Sequence, residues 1–346
     1  MNPVAIRLLN QQLIAPQFAT PTEVVSYMGA MQAQEYRMMR WAVAMRTKSP
    51  SHLLFRKAYD SGEIVRLHLL RGTWQLISGE DYAWMLKLCA PKAATVINGW
   101  MKAGGISIED RERLEIRDIL ERTAADRGSV TKEDFVEALA MRDISMDEHR
   151  LSYHIRMAEL DGVLCSGDLH PQKATYSLAV NKIRHRSTMS EEEALARLAR
   201  KYFQSRSPAT LEDFAWWSAL SLTESRRAVA MLGDELSEEH WNGRRFYIHS
   251  ACRTRGYRAG KSILLAPYDE YLISYKSRDV VLPAEHTHRA HSNNGIFYPV
   301  ILRDGVIYGN WKPYSKRLQT TFFEAERNDE SPLENEWAAY QRFLAR

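Results

Sequence analysis

The 346-residue chain is poor in the features that announce most chemistries. Its three cysteines, Cys89, Cys165 and Cys252, lie far apart with no Cys-x-x-Cys pair. That excludes a disulfide framework or a zinc knuckle and fits a reducing compartment. No apolar run approaches membrane-spanning length, and Met1-Asn2-Pro3-Val4 is not a secretory signal, so a cytoplasmic protein with no membrane partner is expected. There is no glycine-rich loop of nucleotide-binding type, Gly104-Gly105 being a turn, and no Gly-x-Ser-x-Gly elbow for a serine nucleophile. There is no His-x-x-x-His pair with a third ligand, and neither a cofactor nor a metal is expected. Charge of one sign is also scarce. The net charge of +4 is compatible with a polyanionic partner but does not require one. What remains, 45% hydrophobic and 26% charged residues, is the composition of a soluble globular protein with length for about two to four modules.

The first module is organised around Met31-Gln32-Ala33-Gln34. Ahead of it, Thr20-Pro21-Thr22-Glu23 reads as a helix start, with Thr20 as cap, proline where its missing N–H costs nothing, and Glu23 closing a capping box. Gly29 stops that helix. Tyr36 to Arg46 reads as the next one, so both glutamines fall at a junction between helices. In extended backbone, positions two apart share a face. The two amides would then aim into one space, with Ala33 turned away, and two neutral amides can hold one water by its proton and its lone pairs. The plainer reading is a polar junction that ties off helix ends.

Further along, Glu63 to Leu69 and Thr73 to Ile77 alternate as two strands reversed at Arg71-Gly72. Ser78-Gly79-Glu80-Asp81 starts another helix, and Pro91 is expected to open a separate one. Glu109–Arg127, Lys132–Ala140 and Asp147–Asp161 read as three helices, followed by strands at 162–165 and 174–178. The pattern returns at 190–204, 211–219 and 221–232, with a wing at 241–248. From about Gly256 the grammar becomes β-rich, with strands at 262–265, 298–302 and 306–311, a hairpin turn at Asp304-Gly305, and a helix over 331–345. The fold class expected is α+β: three tandem winged helix-turn-helix units, 1–106, 107–187 and 188–255, and a barrel-like β-rich domain over 256–346.

Positive charge is spread over several elements. Arg37, Arg40 and Arg46 follow the glutamines. Arg66, His68 and Arg71 lie on the first hairpin, whose tip adds Thr73 and Trp74. Lys182, Arg184, His185 and Arg186 form a basic run, as do Arg253, Arg255, Arg258 and Lys261; Lys276 and Arg278 lie further on. Each is a solvated face taken alone; on three winged helices together they fit a phosphate-tracking surface. Trp74 either probes a groove or packs under the wing. Asp269 and Glu270 offer acid–base chemistry, or else cap a turn and pair with Arg278. His286, His288 and His291 are a metal cluster or a solvated loop.

Five stretches in order, Met31-Gln32-Ala33-Gln34, Leu69-Leu70-Arg71-Gly72-Thr73, Pro208-Ala209-Thr210-Leu211-Glu212-Asp213-Phe214, Pro267-Tyr268-Asp269-Glu270-Tyr271-Leu272, and Asp304-Gly305 with Gly309-Asn310-Trp311, carry a resemblance over essentially the whole chain. The chain resembles the winged-helix DNA-binding superfamily of AlkZ- and YcaQ-like DNA glycosylases. Gln34 places the likeness on the AlkZ-like branch, since the YcaQ-like branch carries Asp there. The resemblance implies tandem winged helices around a concave channel for double-stranded DNA, and excision of alkylated purines. It also implies unhooking of interstrand crosslinks, often as self-resistance to a DNA-alkylating antibiotic. It makes Gln32 and Gln34 the catalytic pair, with Tyr36, Trp74, Asp269 and Glu270 as possible supporting residues. An N7-alkylated purine already carries positive charge and leaves readily, so oriented water suffices in place of a strong general acid. A reading of a different class remains: a non-catalytic winged-helix regulator or a protein that sequesters a DNA-reactive metabolite. No dimerisation helix is evident, so a monomer is expected.

Overall fold

A computed structural model describes residues 2–184, 189–324 and 331–345. The chain packs as two compact units, one made of Met1–Phe55 with Leu195–Arg346 and the other of Arg56–Ala194. The described residues contain no helix long and apolar enough to cross a membrane.

In the unit 56–194, strands Ile64–His68 and Trp74–Ser78 pair antiparallel, with His68 opposite Trp74. They reverse through Leu70–Gly72, where Arg71 takes φ 56° and Gly72 φ 67°. The 22-residue helix Tyr82–Ala103 corrects one expectation, because Pro91 lies inside it and opens nothing. Proline removes one backbone hydrogen bond. The helix continues because Ala93, Ile97 and Met101 beyond it are buried with Tyr153, Met157 and Leu160 of the helix Glu148–Leu160. Helices Asp110–Arg127 and Lys132–Ala140 complete a three-helix group over a small sheet. In that sheet Thr175–Leu178 lies between Val130–Thr131 and Leu164–Ser166. Thr131 and Asp134 form a capping box at the start of Lys132–Ala140.

In the other unit, Thr20 and Glu23 form their capping box at the start of Pro21–Met28, and Gly29 ends that helix with φ 74°. The helix expected from Tyr36 starts later, at Met39, and ends at Ala44. The Glu35 carboxylate accepts from the Arg37 and Met38 amides at 3.0 and 2.8 Å and holds those residues in a turn. Helices Leu211–Ser218 and Leu222–Leu232, both with capping boxes, precede the hairpin Leu236–Trp241/Arg244–His249.

The C-terminal sheet is open, which corrects the barrel-like expectation. Among the described residues its four strands run in the order 317–322, 306–314, 300–303, 262–265, all antiparallel, with an edge strand at each end. The strand Arg317–Phe322 had no counterpart in the sequence reading; Arg317, Gln319 and Thr321 are exposed on one face, and Leu318 and Phe322 on the other are only half-buried. The turn Asp304-Gly305 has positive φ at both positions, 51° and 80°, as a two-residue hairpin of this type requires. The sheet's faces pack with helix Pro3–Asn10 on one side, through Leu8 and Leu9, and with Trp41 and helix Glu334–Leu344 on the other.

Gly305 also touches the first helix. A Cβ there would press on Val4 Cγ1 and lie 2.9 Å from both Leu8 Cδ1 and Tyr271 Oη. Gly305→Ala is therefore expected to destabilise the protein by about 2–4 kcal/mol, the sum of a left-handed backbone and local overpacking. Urea denaturation measures this; a change within experimental error contradicts the packing described.

Candidate functional site

The glutamine stretch is held by charges that never meet water. Strand Ala30–Gln32 follows Gly29, and Gln34 lies on the bend after it. The backbone amide of Gln32 donates to Glu270 Oε1 at 2.6 Å. Glu270 Oε2 accepts from Arg206 Nη2 at 2.5 Å and from the Ser274 hydroxyl. Arg206, the last residue of helix Glu191–Arg206, also donates to the Met28 and Ala30 carbonyls, each at 2.7 Å, and lies over the Trp217 ring at 4.5 Å. Both charged side chains are buried. Burial alone would raise the Glu270 carboxyl, but the Arg206 guanidinium, the Ser274 hydroxyl and the Gln32 amide hold it below the ordinary 4.5.

Beside this pair stands a second. Arg46 grips Asp269 through both nitrogens, at 2.7 and 2.9 Å, and bonds the Ala42 carbonyl at 2.6 Å. Asp269 also caps the short helix Glu270–Ile273 by accepting from the Tyr271 amide. The carboxylates thus cap and pair, as one reading had it. Their partners are Arg46 and Arg206, however, and not Arg278, which donates to the Leu272 and Lys276 carbonyls.

Gln32 is 5% exposed and Ala33 1%, while Gln34 is exposed. One member of the amide pair is therefore set in the fold and the other opens to solvent. Tyr36 is half-buried under the Arg40 guanidinium, 5.3 Å from its ring centre, and Arg40 is itself buried and bonded to His52 Nε2 at 3.2 Å.

The first hairpin is an internal stack in its own unit. The Arg66 guanidinium lies 3.6 Å over the Trp74 ring, and the His68 ring centre lies 3.7 Å from that of Trp74. His68 Nδ1 is 2.5 Å from Glu159, and Arg156 Nε donates to His68 Nε2 at 3.3 Å. Burial lowers the His68 pKa below the ordinary 6.5, more than the neighbouring Glu159 raises it. Arg66 and His68, expected to face phosphate, are instead buried, because their side chains stack and bond within the unit. Thr73 closes the turn by donating to the Leu70 carbonyl at 3.0 Å, and Arg71 is half-buried at the tip.

The remaining basic residues divide. Lys182 is buried, bonded to the Gly167 carbonyl, with its pKa lowered by burial. Arg253 ties down the end of the first helix through the Leu9 and Ala15 carbonyls. Burial draws Arg278, which also lies over the Phe297 ring, down to about 10. Arg37, Arg184, Arg255 and Lys276 are exposed. Arg186 lies outside the described residues. Lys276 lines a cleft of about 900 Å³ with Arg226, Arg244, Arg245 and Tyr247, in which Arg244 pairs with Asp279 at 2.8 Å and Arg245 with Glu238 at 3.2 Å. These arginines, on helix Leu222–Leu232 and the hairpin Leu236–Trp241/Arg244–His249, were missed in the sequence, although Gly243-Arg244-Arg245 at a hairpin turn was a signal. His286 and His288 fall in short helical turns with His291 just beyond, and no metal-competent cluster occurs among the described residues.

A family model described as DNA glycosylase AlkZ-like matches residues 25–343. A relative, the interstrand DNA cross-link repair glycosylase of Streptomyces sahachiroi, is 26% identical over 352 aligned positions covering 96% of this chain and 94% of its own. The solved structure of Streptomyces sahachiroi DNA glycosylase AlkZ has a similar fold, with a TM-score of 0.79 over 99% of this chain and 96% of that one, at 23% identity.

The Glu270 geometry sets a pH dependence. Its carboxyl titrates lower in the folded protein than in the unfolded chain, so its contribution is full above the ordinary 4.5 and disappears as pH falls through the lowered folded value. Below about pH 4.5 the stability of wild type is expected to fall more steeply than that of Glu270→Gln. Denaturation midpoints measured from pH 6 downwards, in steps of about one unit, test this; equal slopes contradict it.

Proposed function

The chain belongs to the AlkZ-like DNA glycosylase family, and from that premise we propose that it hydrolyses the N-glycosidic bond of alkylated purine nucleotides in double-stranded DNA. The observation that carries the proposal is the placement of the glutamine stretch: a strand locked from behind by Arg206 and Glu270, ending on an exposed Gln34. Gln32 and Gln34 orient one water against the anomeric carbon through their carbonyl oxygens. That water supplies the hydroxyl, its proton passes to solvent, and the base leaves with the bonding electron pair.

The balance of the reaction favours such a mild site. An N7-alkylated purine carries a positive charge that departure neutralises, so the leaving group needs no proton from the enzyme. Positioning alone accounts for much of a barrier. Asp269 and Glu270 are committed to Arg46 and Arg206, so they hold the site without acting as acid or base. Neutral bases are therefore poor substrates. The interstrand crosslink named for the Streptomyces relative is the substrate class this reading extends to here, since a crosslinked N7-alkylpurine has the same primed bond.

The finer architecture belongs to the same reading. Residues 1–106, 107–187 and 188–255 are three tandem winged helices, and 256–346 is the C-terminal β-rich domain. Arg37, Arg184, Arg255 and the Arg226–Arg244–Arg245–Lys276 cleft supply the phosphate contacts, because they present cations to solvent.

The test is mass-spectrometric detection of released base from a duplex bearing N7-alkylguanine. Wild type is expected to release it, and Gln34→Ala and Gln32→Ala to lose on the order of 10²-fold in rate. Wild type that leaves the duplex intact, and behaves like both variants, overturns the proposal.

A further inference from the structure

We propose that Arg206 and Glu270 are positioning residues for the glutamine pair, setting its reactive geometry through the backbone without touching substrate. The inference rests on the hydrolytic reading above and gives the pair behind the strand a part in setting the rate.

The contacts form a clamp on one short stretch of chain. The guanidinium of Arg206 bonds the carbonyls of Met28 and Ala30, and the carboxylate it pairs with bonds the amide of Gln32. Met28 and Ala30 ahead of the glutamines, and Gln32 itself, are thus held. Side chains alternate across extended backbone, so fixing the peptide at Gln32 fixes which way its amide points and where the chain enters the bend that carries Gln34. A slip of one residue would turn Ala33 to the place of Gln32.

Charge is a costly way to do this by stability alone. A buried pair recovers its desolvation only when its geometry and its hydrogen bonds are complete. Here they are. Arg206 Nη1 also meets Ser205 Oγ at 2.7 Å, Nε meets Ser274 Oγ at 2.8 Å, and Glu270 takes a further donor from Ser274. The planar fork spans two carbonyls and a carboxylate at once, which a lysine ammonium cannot do. Glu270 itself stands at the start of the helix capped by Asp269, so the Arg46–Asp269 pair fixes the clamp's anchor.

The experiment uses the full chain and a duplex with a single N7-alkylguanine. Three quantities are read for wild type, Arg206→Lys, Glu270→Gln and a control, Arg7→Lys. They are the single-turnover excision rate with enzyme in excess, the Kd for the duplex, and amide hydrogen exchange over residues 28–34. Arg7 is equally buried in the same unit but bonds only Pro208 through its backbone carbonyl, at 2.9 and 3.0 Å, and faces the Tyr275 ring. Its substitution is expected to lower the unfolding midpoint and leave the excision rate of the folded protein unchanged.

The two clamp variants are expected to lose on the order of 10²-fold in excision rate with duplex Kd unchanged, and to exchange faster over 28–34. Should Arg206→Lys fail to fold, Ser274→Ala, which removes one donor to Glu270, is expected to shift rate and exchange the same way by less. Rate losses no greater than in the control, or unchanged exchange over 28–34, overturn the inference. If wild type releases no base, the hydrolytic reading has failed separately. Exchange then decides whether the clamp exists: selective acceleration over 28–34 sustains it, and none overturns it.

Discussion

Two guanidinium–carboxylate pairs without solvent contact, Arg206–Glu270 and Arg46–Asp269, govern how the glutamine stretch is presented. Their members come from parts of the chain far apart in sequence, and each also bonds a backbone carbonyl or amide. Removing one partner would leave the other charged and buried, at a cost of about 3–5 kcal/mol, so neither pair is free to open. The strand Ala30–Gln32 inherits that rigidity. On the proposed reading, a looser strand would not hold water against a reacting carbon.

This explains how acidic residues can be essential to a site without doing acid–base chemistry. The groups near the motif best suited to move protons are tied to arginines. What faces solvent is an uncharged amide. Such an arrangement suits the proposed reaction, whose leaving group brings its own positive charge, and on that proposal it would discriminate against bases that have to be protonated first.

Much of the local structure could be read in the sequence because its causes are local. Capping boxes at Thr20, Thr131, Thr210 and Ser221 start their helices, and Asp304-Gly305 turns its hairpin. Departures arose where tertiary contacts decide. Pro91 is carried within a helix by the burial of Ala93, Ile97 and Met101, and Glu35 delays the helix expected from Tyr36. For the candidate site, the glutamine motif was visible, and Asp269 and Glu270 were named as supporting residues, but their partners Arg46 and Arg206 were not found. Nothing local links Arg206 to Glu270, although carboxylates set among Tyr268, Tyr271 and Leu272 hinted at burial and so at a charged partner. Basic residues misled most. Spacing does not distinguish Arg66, stacked on Trp74, from Arg37, which is exposed.

The central claim is that neutral amides suffice because the departing base is already charged. The most direct measurement is the single-turnover excision rate on N7-alkylguanine duplex across the range about pH 5.5 to 8.5, where an enzymic general acid or base would titrate, with a neutral damaged base in the same sequence context as comparison. The account predicts a flat profile for the cationic lesion and no detectable release of the neutral one. A bell-shaped profile, or release of the neutral base at a comparable rate, would contradict it.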